Sequence, residues 1–337
     1  MATGESDRAA AHLGVFGKHP GWNDHIDDLG IDTDLLAAVK RVLYIEGIGG
    51  NIDSGAWDGL VERSRLEQYE HLWLWRMGGA LVVGRMWSSR DGKGRAKYPM
   101  GVCAQLGLMP VNWVVLRVVP LLLDVENRCK QAATADQVRM IVGEGRERLA
   151  AIVGSSPPAP DEPMLPRGVL ARIAGRDEMR PASRGLHCLL YQIQREVLPH
   201  LDGEPGKRVL SRPYHIRAPR CADTAGDAAG LWLAFAASQI GDAVPVLLVL
   251  PDGQGWVDII LGAPTPREVF CIKANLNAIG HSTEIPYNLD AEFLRKAGEM
   301  IARSAASGDD SPPVPPAEDK PGGLLRKLSA RLGLRRP

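Results

Sequence analysis

Apolar positions first gather at His12–Gly17, a short run ending in glycine that predicts an opening strand. The polar stretch Lys18–His25 follows and reads as a loop. Asp34 is placed to cap a helix whose Leu35, Leu36, Val39, Val42 and Leu43 share one face, with Gly47–Gly50 ending it. A second helix is expected over 57–69. Leu72–Met77 and Ala80–Val83 read as strands joined by a hairpin turn at Gly78-Gly79. The clearest pattern comes next. Apolar runs at Gly79–Gly84 and from Tyr98 to Met109 flank Ser88-Ser-Arg-Asp-Gly-Lys-Gly-Arg95, which predicts a β-hairpin with a long polar tip.

Three- and four-residue spacings predict helices over 111–123 and 135–153, the latter capped by Thr134. The proline-rich segment 155–163 is the best internal boundary. A helix is expected over 184–198, with Leu186, Leu189, Leu190, Ile193 and Val197 on one face. Gly230–Phe235 alternates loosely and predicts a strand. Val244–Leu250 is apolar throughout, as a strand covered on both faces would be. A turn at 251–255, a strand at 256–261 and a short helix within 266–279 follow. Asp290 caps a terminal helix to Ala305.

The ends differ from this body. Residues 1–11 read as a loose tail. Residues 307–323 are rich in Pro, Asp and Glu and read as a disordered linker. Within 324–337, Leu324, Leu325, Leu328 and Leu332 share a helical face ringed by Arg326, Lys327, Arg331, Arg335 and Arg336. Leu324–Arg336 therefore suits weak contact with a membrane surface or a partner groove.

Composition narrows the function classes. Forty Lys plus Arg balance forty Asp plus Glu, so net charge makes no case for nucleic acid. Five widely spaced cysteines without a CxxC pair fit reduced thiols in a cytoplasm. No apolar stretch approaches a membrane span, because Arg117, Pro110 and Pro120 interrupt the longest. Phosphate-loop, dinucleotide and nucleophile-elbow motifs are absent, so no cofactor is expected. His19, Asp24, His25 and Asp91 have the residue types of a metal site without a recognised spacing; the rival reading makes them the ligands of a metal-dependent hydrolase. Among eight tryptophans, Trp73, Trp75, Trp87, Trp232 and Trp256 are expected in the core. Trp22 and Trp57 are expected as exposed anchors.

Two segments carry a family resemblance. Gly17-Lys18-His19-Pro20-Gly21-Trp22-Asn23-Asp24-His25 resembles the amino-terminal signature G-K-x-P-x-x-G-D-F of the TagF (ImpM) proteins of type VI secretion. Asn23 replaces the family's Gly and His25 its Phe. Ser89 to Pro99, with Asp91, Gly94, Arg95 and Tyr98, resembles the second signature S-x-D-x-x-G-R-x-F/Y-P, with one residue inserted before the aromatic. Leu231-Trp232-Leu233 and Pro245–Leu250 resemble a late L-W-W and buried-strand region. Residues 159–224 have no counterpart.

The resemblance implies a cytoplasmic, non-enzymatic protein that restrains type VI secretion by binding other components, in part through a forkhead-associated-domain partner. The fold expected is α/β, a three-layer αβα sandwich with a central mixed, largely antiparallel sheet over residues 12–306. Gly17 and Pro20 would shape the exit from the first strand. Lys18, Trp22, Asp24 and Ser89 join them as structural or partner-binding candidates. Asp91 and Arg95 would pair with each other or clamp a neighbouring loop; Asp24 and Arg95 are the other pairing open.

Overall fold

The computed structural model describes residues 11–155, 158–159, 161–179, 184–204 and 206–310. Its strands are β1 (His12–Gly17), β2 (Glu70–Met77), β3 (Ala80–Trp87), β4 (Met100–Gly107), β5 (Leu201–Asp202), β6 (Val209–Leu210), β7 (Tyr214–Pro219), β8 (Val246–Pro251) and β9 (Trp256–Leu261). Its α-helices are α1 (Asp34–Val39), α2 (Gly50–Asp53), α3 (Val111–Arg117), α4 (Val119–Gln131), α5 (Ala135–Ser155), α6 (Val169–Ala174), α7 (Arg184–Gln192), α8 (Ala225–Ile240), α9 (Pro266–Val269) and α10 (Ala291–Ser307).

Seven strands form one sheet in the order β1-β4-β3-β2-β8-β9-β7. Every neighbouring pair is antiparallel. Alternation along the strands divides two cores. Leu72, Leu74, Val102, Ala104, Leu248 and Ile259 face one layer, with α3 to α8 and α10 over it. Trp73, Trp75, Cys103, Leu247 and Ile260 face the other, against Leu36, Leu43, Ile48 and Val269. The αβα sandwich is thus realised, with a seven-stranded sheet that is antiparallel throughout rather than mixed. The first core takes in Leu13, Val153, Val169 and Ala297, so it runs across the proline-rich segment 155–163.

Both hairpins of the first half form as the pattern predicts. Met77 pairs with Ala80 across Gly78-Gly79, where Gly78 has φ +52°. β3 and β4 pair from Ala80–Gly107 to Trp87–Met100, leaving residues 88–99 as the tip. Trp73 lies over its cross-strand partner Gly84, where a Cβ would come within 2.2 Å of the indole. Glycine there makes room for the ring.

Several expectations are corrected. Thr33, not Asp34, caps α1, its hydroxyl accepting from the Leu36 N–H at 3.1 Å. Gly47–Gly50 does not end the helix. The chain winds on as a π-helix over Lys40–Gly49 and then α2. Gly47 serves close packing, since a Cβ would meet Val269 at 2.8 Å. No helix forms over 57–69 beyond one turn at Glu62–Ser64. Trp57 is instead buried, its indole N–H donating to the Phe270 carbonyl at 3.0 Å, so it is not an exposed anchor. Gly230–Phe235 is the middle of α8, capped by Thr224. That helix is buried nearly all round, so it lacks the polar stripe that marks helical periodicity. β7, an edge strand, lies in the stretch without a family counterpart.

Residues 307–310 of the expected linker are held against the body, and 311–323 lie outside the described residues. Ser307 ends α10, and the Asp310 carboxylate accepts from the Val169 and Leu170 N–H groups at 3.0 Å each, capping α6. Residues 1–10 and the basic segment 324–337 lie outside the described residues. Among the described residues no helix is long and apolar enough to cross a membrane.

Because both faces are covered, charged strand residues are held in pairs. Arg85 on β3 reaches Glu126 of α4 at 2.6 Å and both oxygens of Asp252 beyond β8. Arg76 on β2 meets Asp242 beyond α8. Arg217 on β7 forks onto Asp258 of β9 at 2.7 and 2.8 Å, and also donates to the carbonyls of Asn275, Ile279 and Cys271.

Two substitutions test this arrangement by urea unfolding. Gly84→Ala pushes a methyl into Trp73 and is expected to cost about 2 kcal/mol. Asp258→Ala leaves Arg217 buried without its counter-ion and is expected to cost about 3–5 kcal/mol.

Candidate functional site

The two segments that carry the family resemblance meet at the end of β1. Gly17 leaves the strand with φ +114°, and a Cβ there would come within 2.2 Å of the Pro99 carbonyl. Only glycine lets β1 pass so close to the start of β4. The Pro99 carbonyl then accepts from the Lys18 N–H at 3.0 Å. These contacts aim the Lys18 side chain inward, where it is buried.

Asp91 organises the junction. Its Oδ1 accepts from the backbone N–H groups of Lys93 and Arg95, both at 3.0 Å, which folds the hairpin tip around the carboxylate. Its Oδ2 accepts from Lys18 Nζ at 2.8 Å and Arg95 Nε at 2.7 Å. Gly94, with φ +79°, supplies the turn between these donors. Arg95 Nη2 reaches the Asn23 carbonyl at 2.8 Å and Asp24 Oδ1 at 3.3 Å. Lys18 Nζ lies 3.8 Å from the same Asp24 oxygen. Gly92 N–H donates to the Trp22 carbonyl at 2.6 Å, closing the seam between the loops. Both pairings left open from sequence therefore occur together: Asp91 with Arg95, and Arg95 with Asp24.

Electrostatics follow this geometry. Burial alone would raise the Asp91 carboxyl; the Lys18 ammonium, then the Arg95 and Lys93 donors, outweigh it and hold it well below the usual carboxylate range. Lys18 also sits 5.6 Å from the centroid of Tyr98. Tyr98 in turn packs with His25 at 4.9 Å and Tyr44 at 5.4 Å. Tyr44 comes from the π-helix, so the knot is joined to the second core as well.

The remaining candidates take different places. Trp22 is half-buried, with Arg139 of α5 5.4 Å from its ring centroid and Asp27 accepting from its indole at 3.3 Å. Pro20 is exposed. Ser89 lines a neighbouring cavity.

The four proposed metal ligands do not come together as a donor set. His19 is buried, donating from Nε2 to the Cys129 carbonyl at 2.9 Å and accepting at Nδ1 from Gly21 N–H at 3.0 Å. Both ring nitrogens are used by the backbone, and burial lowers its pKa despite the carbonyl contacts. Among the described residues, His215, Asp258 and Cys271 are the group with donor atoms close enough for an ion. Arg217 already occupies both oxygens of that Asp258, and burial pushes the Cys271 thiol well up, so the trio reads as part of a salt bridge. All five cysteines are buried.

The buried arginine pairs are not among the sequence expectations. The available signal was a charged residue inside an apolar strand pattern, as Arg85, Arg217 and Asp258 each are.

The knot makes a testable claim about acid stability. A carboxyl that titrates below its unfolded value gives stability that is whole above about pH 4 and is lost as pH falls from there toward the folded value. Asp91→Asn removes that dependence and strands Lys18. Its urea midpoint is expected below that of the wild type at neutral pH, with the two curves converging as pH drops below about 4. Parallel curves would show that Asp91 does not carry this linkage.

No protein-family model matches the chain. No curated protein matches it either. Among solved structures, it is similar to the crystal structure of PA0076 from Pseudomonas aeruginosa PAO1, at 17% identity over 51% of this chain and 74% of that one, with a TM-score of 0.27.

Proposed function

We propose that this chain is a non-enzymatic accessory or regulatory protein of type VI secretion that works in the cytoplasm by binding other proteins. One observation carries the reading. The two segments resembling the TagF signatures, far apart in sequence, interlock through Lys18, Asp91, Arg95 and Asp24. Their polar groups spend themselves on one another, as expected of residues that brace a surface rather than attack a substrate. Other secretion components are the partners this reading names, a forkhead-associated-domain protein among them.

Affinity purification of the tagged full chain from cells that assemble a type VI apparatus tests it. Recovery of a secretion component, together with less effector secretion when the chain is overproduced, is the expected result. Unchanged secretion and no such component in the eluate would sink the reading.

A further inference from the structure

A cavity of about 340 Å³ opens on the other flank of the 88–99 loop. Ser88, Ser89, Arg90, Ala96 and Pro99 form one wall. Glu67, Gln68 and Tyr69, leading into β2, and Lys273, from the turn after α9, also line the cavity. Lys273 Nζ sits 5.2 Å from the Trp57 ring centroid and 5.9 Å from that of Tyr69. The two aromatic rings hold this half-buried ammonium in place.

The charges around it do not cancel. Arg65, Lys97, Arg90 and Lys273 face Glu67 and Asp58. Both acids are engaged elsewhere: Glu67 accepts from Arg65 Nε at 2.7 Å, and Asp58 lies 3.7 Å from Lys97 Nζ. Among the described residues, neither Lys273 nor Arg90 has a carboxylate within salt-bridge distance. Ser88 already accepts from the Tyr69 N–H at 2.9 Å, which leaves its hydroxyl proton to donate. Two unneutralised cations and two serine hydroxyls thus line one cavity whose nearest acid is taken. A donor set of that kind is complementary to a carboxylate or phosphoryl group.

We infer that this cavity is an oxyanion subsite, in which Lys273, Arg90, Ser88 and Ser89 receive a single carboxylate or phosphoryl group. Burial, and after it Arg65, pushes the Lys273 ammonium below its ordinary range, and a bound anion would offset both. The site stands apart from the Lys18–Asp91 knot, whose donors are already satisfied. It does not depend on the secretion reading.

The ligand chemistry has two sources, a free ion or a group carried on a protein side chain. Both are tested on the ¹⁵N-labelled full chain at constant ionic strength by following the Trp57 indole resonance, assigned with Trp57→Phe. The probes are inorganic phosphate, capped phosphothreonine and capped glutamate. A saturable shift is expected with at least one, weakened about tenfold or more in Lys273→Gln and in Arg90→Gln, and largely kept in Lys273→Arg. Tighter binding of a capped residue than of inorganic phosphate assigns the group to a partner's chain; the reverse order assigns it to a free ion. Arg90 is exposed, so its variant keeps the test sound should Lys273→Gln unfold. No saturable shift with any probe, or equal affinity in both glutamine variants, overturns the inference.

Discussion

A sheet covered on both faces leaves no solvent for charge along its strands, and that constraint shapes the rest of this molecule. Each cation carried into the interior must meet its own carboxylate there, because an unpaired buried charge costs several kcal/mol. Arg85, Arg217 and Lys18 obey it, while Arg76 reaches out to the exposed Asp242. The nearest carboxylate of each lies outside its own element. Each reaches a helix, a loop or the adjoining strand, so the pairing that neutralises a charge also fastens two parts of the fold. A chain of zero net charge has the acids to do this.

The same constraint explains why the ends of the sheet hold the chemistry of interest. Inside the strands, the pairs are closed. At the end of β1, the loop 18–25 and the tip 88–99 must fold against each other, and the carboxylate of Asp91 is the point they share. Four donors converge on its two oxygens, two from its own loop's backbone and two from side chains. Gly17 permits the approach and Gly94 the turn. Tyr98 and Tyr44 continue the contact into the core. A surface braced in this way presents its flanks in a set geometry. The cavity beside Lys273 lies on one such flank.

Much of this was legible beforehand where a local rule sufficed. Apolar runs bounded by turn residues set out β2, β3, β4, β8 and β9, and Gly78-Gly79 marked the hairpin. Asp290 marked the start of α10. Errors came where local rules compete. Leu231–Phe235 has strand-like alternation, yet Ala-rich neighbours and the Thr224 cap favour a helix that burial on all sides had stripped of its polar stripe. Gly47–Gly50 looks like a stop signal, but Gly47 gives close approach to Val269. Trp57 lies in a polar stretch and still ends up buried, because Phe270, far along the chain, offers its carbonyl.

Periodicity, turn chemistry and charge balance, then, were properties of the sequence alone, and they determined an α/β body with a long polar hairpin tip. Which charges would meet was decided only in three dimensions. Lys18 and Asp91, or Arg217 and Asp258, stand 73 and 41 residues apart. No spacing rule links them, since the sheet order that brings them together depends on the packing of whole layers. Local residues set the short-range geometry; long-range burial chose the partners, because only a folded interior makes an unpaired charge expensive.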